Sequence, residues 1–282
     1  FKGVIGTTSI DEILNDETIA GVFVSATPSS HFEIASKIIK SGKALFIEKP
    51  PCLCIEELNS LIDKQRLYGY NTVVVGMQKR FSPITTILRK KLRDKRLISY
   101  NLHYQVGLYP EGNELYDLFI HPIDLVTFLF GDAKILGVHK TSSENGGKTY
   151  LLMLEHNNVA GTLELSTFYS WQEAHEAICI NMESGMYDMQ QMETLTFTPS
   201  SPSFGKIPIE KVFARNSRLN SLYSRNNFNP ILINNQIISQ GYFNEIKTFV
   251  ESVECINKST IPTDFTSLYV TYEILDKLDK IK

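Results

Sequence analysis

Val22-Phe23-Val24-Ser25-Ala26-Thr27-Pro28, then Ala44-Leu45-Phe46-Ile47-Glu48-Lys49-Pro50, then Thr72-Val73-Val74-Val75-Gly76 are the stretches that decide the fold. Each is a short apolar, β-branched run without polar alternation, the pattern of a strand buried on both faces, and each stops at a turn residue. Between the first two, Ile34, Ala35, Ile38 and Ile39 recur at helical spacing, and Gly42 stands where a left-handed C-cap belongs. Between the second and third, Ile55, Leu58 and Ile62 mark another helix. Strict alternation of strand and helix predicts a parallel sheet with right-handed crossovers and helices on both faces. Ligands then bind beyond the carboxyl ends of the strands, where Thr27, Lys49 and Gln78 sit. Upstream, Ser9 with Glu12 three residues later predicts a capping box that opens a short helix.

After Ser82-Pro83 the rhythm changes. A helix is predicted over 84–92 and a strand over 98–105. After a loop, a helix runs over 114–130, with Pro122 expected to kink it at His121. Residues 151–155 and 161–168 then alternate, with Leu163 and Leu165 on one face and Thr162, Glu164 and Ser166 on the other, as in a sheet covered on one side only. Residues 198–208 and 214–240 are rich in Ser, Pro and Asn and read as long loops; helices near 243–253 and 266–278 close the chain. The expected division is a first domain over residues 1–83 and a second over 84–282.

Composition narrows the partners. The 282 residues are 43% hydrophobic and 21% charged, with net charge -3; mean hydropathy is -0.10 and the pI is about 6.1. This is an ordinary globular balance, with no basic field for a phosphate backbone and no apolar run that approaches the roughly 18 residues of a membrane span. No nucleic acid, no membrane and a small-molecule partner are therefore expected. Cys52, Cys54, Cys179 and Cys255 are too few and too scattered for a disulfide framework, which fits a reducing, cytoplasmic setting. The histidines show no metal-ligand spacing, and no metal is expected.

Two places can carry proton chemistry. Lys49 ends a buried strand, where it is either a solvated turn cation or a desolvated lysine able to exchange protons near neutrality. Asp117 and His121 lie four apart on the helix over 114–130, either as a structural ion pair or as a carboxylate that orients an imidazole. Trp171, Tyr104 and Tyr109 line a pocket or a subunit contact, or are core packing. No G-x-S-x-G and no P-loop is present, so acyl transfer and nucleotide hydrolysis lack their local signatures.

Together, Ala26-Thr27-Pro28-Ser29-Ser30-His31, Glu48-Lys49-Pro50, Val75-Gly76-Met77-Gln78-Lys79-Arg80-Phe81-Ser82-Pro83 and Asp117-Leu118-Phe119-Ile120-His121 resemble the Gfo/Idh/MocA family of NAD(P)-dependent oxidoreductases in order and spacing. The resemblance implies an α/β chain: a partial Rossmann-type parallel-sheet domain, then an α+β domain with a large, mostly antiparallel open sheet. It implies NAD or NADP as cofactor, lined by Thr27, Pro28, Ser29, His31, Glu48 and Lys49. It implies a sugar, polyol or nucleotide-sugar substrate facing Gln78, Lys79 and Asp117, with Lys49 and His121 sharing acid and base work and Asp117 orienting the site. Ser29 and Lys79 stand where the family often has Asn and Arg. Dimers or tetramers through the open sheet face are also implied.

Members of the family open with a G-x-G-x-x-G loop, whereas Gly3 and Gly6 are spaced wrongly for one. Two further βα units ahead of Phe1, holding the pyrophosphate, are therefore expected, together with poor solubility or a covering partner for the sheet edge left open without them. The other readings of the same residues are a catalytically silent, sugar-binding homologue and a pure interaction module. Arg215, Arg218 and Arg225 lie in the long loops, either as phosphate ligands or as solvated cations.

Overall fold

The computed structural model describes residues 3–69, 72–213, 219–226, 235–254 and 262–281. They form two compact units, one of residues 1–77 with 244–277, the other of 78–243 with 278–282. The sequence reading put residues 84–282 in one domain. The division differs because the C-terminal segment packs on the parallel sheet: Phe249 meets Phe23 and Phe46 at ring-centroid distances of 4.8 and 5.8 Å. The Val75 amide donates to the Thr263 carbonyl at 2.7 Å, and the Tyr272 hydroxyl donates to the Cys52 carbonyl at 2.8 Å.

The first unit runs α1 (Ile10–Asn15), β1 (Gly21–Val24), α2 (Pro28–Ser41), β2 (Ala44–Ile47), α3 (Ile55–Leu67) and β3 (Val73–Val75). The three strands pair in parallel in the order β1-β2-β3. β2 and β3 are buried along their whole length, as their unbroken apolar runs require. β1 departs from that expectation: Phe23 is 52% exposed, because among the described residues β1 pairs only with β2. Gly42 ends α2 at φ +80°, as expected for a left-handed cap. The capping box at α1 does not form. Ser9 makes no side-chain cap bond, and the Glu12 carboxylate instead accepts from the Thr7 hydroxyl at 2.6 Å. Cys52 is a free, buried thiol whose pKa burial pushes up to about 12.

The second unit begins with a 3-10 turn (Gln78–Phe81), then α4 (Pro83–Leu92), β4 (Leu97–Gln105), a π-helical turn (Leu115–Phe119) and α5 (Ile120–Phe130). Next come β5 (Lys134–Ser142), β6 (Lys148–His156), β7 (Val159–Ser166), β8 (His175–Met182), β9 (Gly185–Gln190) and β10 (Thr194–Pro199). A small hairpin of β11 (Ser203–Phe204) and β12 (Ile207–Pro208) precedes β13 (Asn220–Ser224) and α6 (Gln236–Ser239); α7 (Tyr242–Val253) and α8 (Tyr269–Asp279) belong for the most part to the first unit.

Eight strands form one sheet, β13-β10-β9-β8-β4-β7-β6-β5, antiparallel except for β4 with β7. Its inner face is aromatic: Tyr100 stacks on Phe130 at 4.3 Å, and Phe119 meets Tyr104 and Tyr150 edge-on. On the other face Leu151 and Met153 are about half exposed, at 46% and 51%. The stretch expected to be loop contributes β13 as an edge strand. Arg225 at its end pairs with Glu193 at 2.7 Å, while Arg215 and Arg218 lie outside the described residues. No described helix is long and apolar enough to cross a membrane.

Pro122 falls in the first turn of α5, directly after the π turn. Ahead of the proline the helix changes type from π to α, in place of a simple mid-helix kink.

His156 is fully buried, with Nδ1 2.7 Å from the Gly131 carbonyl and Nε2 2.7 Å from the Tyr100 hydroxyl. A carbonyl only accepts, so Nδ1 carries the proton and Tyr100 donates to Nε2. Burial holds the imidazole pKa below its ordinary value. The unfolded chain therefore binds this proton first, and stability is expected to fall as pH drops below about 6.5, by at most ~1.4 kcal/mol per pH unit. Urea midpoints at pH 7.5 and 5.5 check this: the drop should shrink in His156→Leu, and an equal drop in both proteins would contradict it.

Candidate active site

In the first unit the sequence-predicted cofactor residues gather at the carboxyl ends of β1 and β2. Thr27 and Ser29 are exposed where α2 starts, with the Ser30 hydroxyl donating to the Thr27 carbonyl at 2.8 Å and Pro28 at the first helical position. Glu48 and Lys49 follow β2 directly and are half-buried, and the Lys49–Pro50 peptide is cis. Gly76, just past β3, is needed for close approach: a Cβ there would lie 3.0 Å from Glu48 Oε2 and 3.3 Å from Glu48 Cα.

His31 has a different place from its neighbours. It is 1% exposed, and its ring nitrogens lie 2.8 Å from the Pro50 carbonyl and 3.0 Å from the Ala26 carbonyl. It braces the turn after β1 against the turn after β2, so it shapes this rim from beneath.

In the second unit Asp117 sits within the π turn and His121 in the first turn of α5, 8% exposed. Asp117 Oδ2 accepts from the Asn113 amide at 3.0 Å and from the Tyr109 hydroxyl at 3.3 Å. Burial and the neighbouring Asp117 charge raise the Tyr109 pKa, so the phenol stays a donor. The carboxylate is thereby fixed from its own loop, in a turn type that recurs at functional sites.

Gln78 and Lys79 are both buried, unlike ordinary surface polar residues. The Gln78 amide donates to the Tyr242 hydroxyl at 3.3 Å, and Gly241, at φ +99°, packs so tightly on it that a Cβ would lie 1.9 Å from the Gln78 carbonyl oxygen. Lys79 is ion-paired with Glu176 and its ammonium lies 4.9 Å from the Tyr104 ring centroid. Arg80 makes a bidentate pair with Asp124, both side chains 2% exposed, through Nε at 2.8 Å and through its terminal nitrogen. The Thr85 hydroxyl donates to the Lys79 carbonyl at 2.6 Å and locks the 3-10 turn that carries all three.

Glu176, Tyr242 and the Arg80–Asp124 pairing were not legible in the sequence, since each partner is at least 44 positions away. Among the described residues no cluster of His, Cys, Asp and Glu could hold a metal ion.

The first-unit rim offers a donor set that suits a dinucleotide. It has exposed hydroxyls at a helix start and, just past the next strand, a carboxylate and a lysine.

Residues 2–76 match the GFO_IDH_MocA family, described as an oxidoreductase family with an NAD-binding Rossmann fold. The chain is similar to an inositol 2-dehydrogenase/D-chiro-inositol 3-dehydrogenase of Lactiplantibacillus plantarum, 28% identical over 140 residues, which cover 46% of this chain and 40% of that protein. The chain thus spans well under half the length of this curated relative in the match. Among solved structures it is similar in fold to a dehydrogenase from Chromobacterium violaceum, with TM-score 0.77, 18% identity, and coverage of 96% of this chain and 79% of that one. It is also similar in fold to a UDP-N-acetylglucosamine 3-dehydrogenase from Acidithiobacillus ferrooxidans, with TM-score 0.73, 17% identity, and coverage of 96% and 80%.

Proposed function

We propose, from the match of residues 2–76 to the Gfo/Idh/MocA oxidoreductase family, that the chain oxidises a secondary alcohol of a cyclitol, sugar or nucleotide-sugar with NAD(P), or runs the reverse reduction. The observation that carries this reading is Glu48-Lys49-Pro50 at the carboxyl end of the middle strand of the parallel sheet, where open α/β sheets place their ligands.

Thr27, Ser29, Glu48 and Lys49 hold the cofactor, and bound nicotinamide supplies the hydride chemistry. The chain's own work is positional and protic. Lys49 and His121 are the groups assigned to acid and base work on the substrate hydroxyl. Asp117, fixed by Asn113 and Tyr109, orients the substrate. Gln78 and Lys79 bind or support the substrate, and the paired ammonium of Lys79 acts through Glu176. The same reading has a second copy of the chain covering the open sheet face around Leu151 and Met153.

The test is direct. NADH binding is followed by nicotinamide fluorescence, and turnover is followed with NAD and with NADP on myo-inositol, D-glucose and UDP-N-acetylglucosamine. Saturable binding with turnover of one of these alcohols is expected. Binding without turnover of any of them would return the chain to a silent, ligand-binding role.

A further inference from the structure

Trp171 is the sole tryptophan of the chain, and the reaction chemistry above does not use it. It lies in the loop between β7 and β8 and is 52% exposed, although a large aromatic ring left open to water forgoes burial free energy. The ring is nevertheless held. Indole Nε1 donates to the Leu108 carbonyl at 2.8 Å, and the five-membered ring lies on Gly107, where a Cβ would come within 2.3 Å of Cδ1. A glycine at 107 is therefore what lets the indole lie down on the chain.

Tyr109 stands beside it, with ring centroids 6.3 Å apart, and the Tyr109 hydroxyl is bonded to Asp117. Gly112 completes the arrangement, since a Cβ there would sit 2.3 Å from Asp117 Oδ2 and 3.0 Å from the Tyr109 ring. An anchored, half-open indole thus stands beside a tyrosine that is itself hydrogen-bonded to a carboxylate, all within the second unit.

We propose that Trp171 and Tyr109 are a stacking platform for the ring of a polyhydroxylated substrate, a cyclitol or a pyranose, whose C–H face lies on the aromatic rings while its hydroxyls reach the Asp117 carboxylate. The chemistry of this cluster favours that class. Such a ring has one face of C–H groups that suits an aromatic surface and a rim of hydroxyl donors that suits a carboxylate, whereas a purely apolar ligand would leave Asp117 facing hydrocarbon. The platform deepens the proposed function by naming what sets substrate preference, and it rests on that reading for the link to turnover.

Trp171 reports its own occupancy, so the test separates the two ideas. Tryptophan emission of the full chain is titrated, without cofactor, with myo-inositol, with D-glucose and with UDP. A saturable change with myo-inositol or D-glucose, and none with UDP, is expected. For the sugar that turns over, Trp171→Ala should raise KM about tenfold, and Trp171→Phe should restore most of that loss. NADH binding in both variants and their circular dichroism should match the parent and so certify the fold. The platform is overturned if no ring compound moves the emission, if UDP alone moves it, or if Trp171→Ala keeps the parental KM. The reading as a dehydrogenase fails separately, if no alcohol is oxidised while the emission still responds to a ring.

Discussion

Replacing Lys49 with alanine is expected to lower kcat by about 100- to 10,000-fold at neutral pH, the range that a positioned acid–base group contributes. His121→Ala should fall in the same range. Because the two share one proton exchange, the double variant should be little worse than the poorer single one, since residues acting as a unit are strongly non-additive. NADH affinity separates proton transfer from cofactor binding: His121→Ala should leave it near the parental value, whereas Lys49→Ala should weaken it, because Lys49 belongs to the cofactor rim. Steady-state kinetics with single and double variants decide the matter. Losses that multiply would assign the residues to independent tasks, and unchanged turnover in Lys49→Ala would remove the acid–base reading altogether.

The largest effect on stability is expected at Asp124. Its carboxylate and the Arg80 guanidinium are both 2% exposed and joined by two charge-assisted hydrogen bonds. Taking two ions out of water is expensive, and the pair repays that only while both partners are present. Asp124→Ala removes the carboxylate that takes two charge-assisted hydrogen bonds from Arg80 and should cost about 3–5 kcal/mol. The Phe128 ring, 4.8 Å from the guanidinium carbon, is too weak an acceptor to replace a carboxylate. An Arg80→Met/Asp124→Leu double variant, which removes both charges and keeps the volume, should recover most of the loss. Chemical denaturation of the three proteins checks this. A double variant as unstable as Asp124→Ala would mean that the pair itself, rather than the charge left behind, is what the second unit needs.

What was legible in the sequence followed local rules. Ala44–Ile47 was readable to the residue, because an unbroken apolar run bounded by turn residues has one interpretation when both faces are covered. The same rule failed for β1, because whether a strand is covered depends on neighbours its own residues do not encode, and Phe23 ended exposed. The helix over 114–130 was found, but its first turn is π-helical, a choice of hydrogen-bond register that apolar periodicity does not carry.

At the candidate site, motif spacing pointed to Lys49, Asp117 and His121. It could not foresee that His31 braces two turns from beneath, or that Glu176, on a strand about a hundred positions away, would take the charge of Lys79. Nor did the domain boundary follow from the change of rhythm at Ser82-Pro83, since the segment that returns to the first unit does so through Phe249 and Tyr272, whose partners lie at the other end of the chain.

The position of β4 bears on how the molecule is made. β4 is the earliest strand of the eight-stranded sheet to leave the ribosome, yet it lies at the interior, bonded to β7 on one side and β8 on the other. Both its edges stay unpaired until residues 159–182 have followed. The strands on either flank, β5 to β7 and β8 to β10, are meanders of sequential neighbours that close short loops quickly, whereas joining them waits for two long-range pairings onto one strand. The slow event in folding is therefore the meeting of two ready-made half-sheets across β4. A chaperone that shields residues 97–105 during synthesis would protect the segment exposed for the longest time.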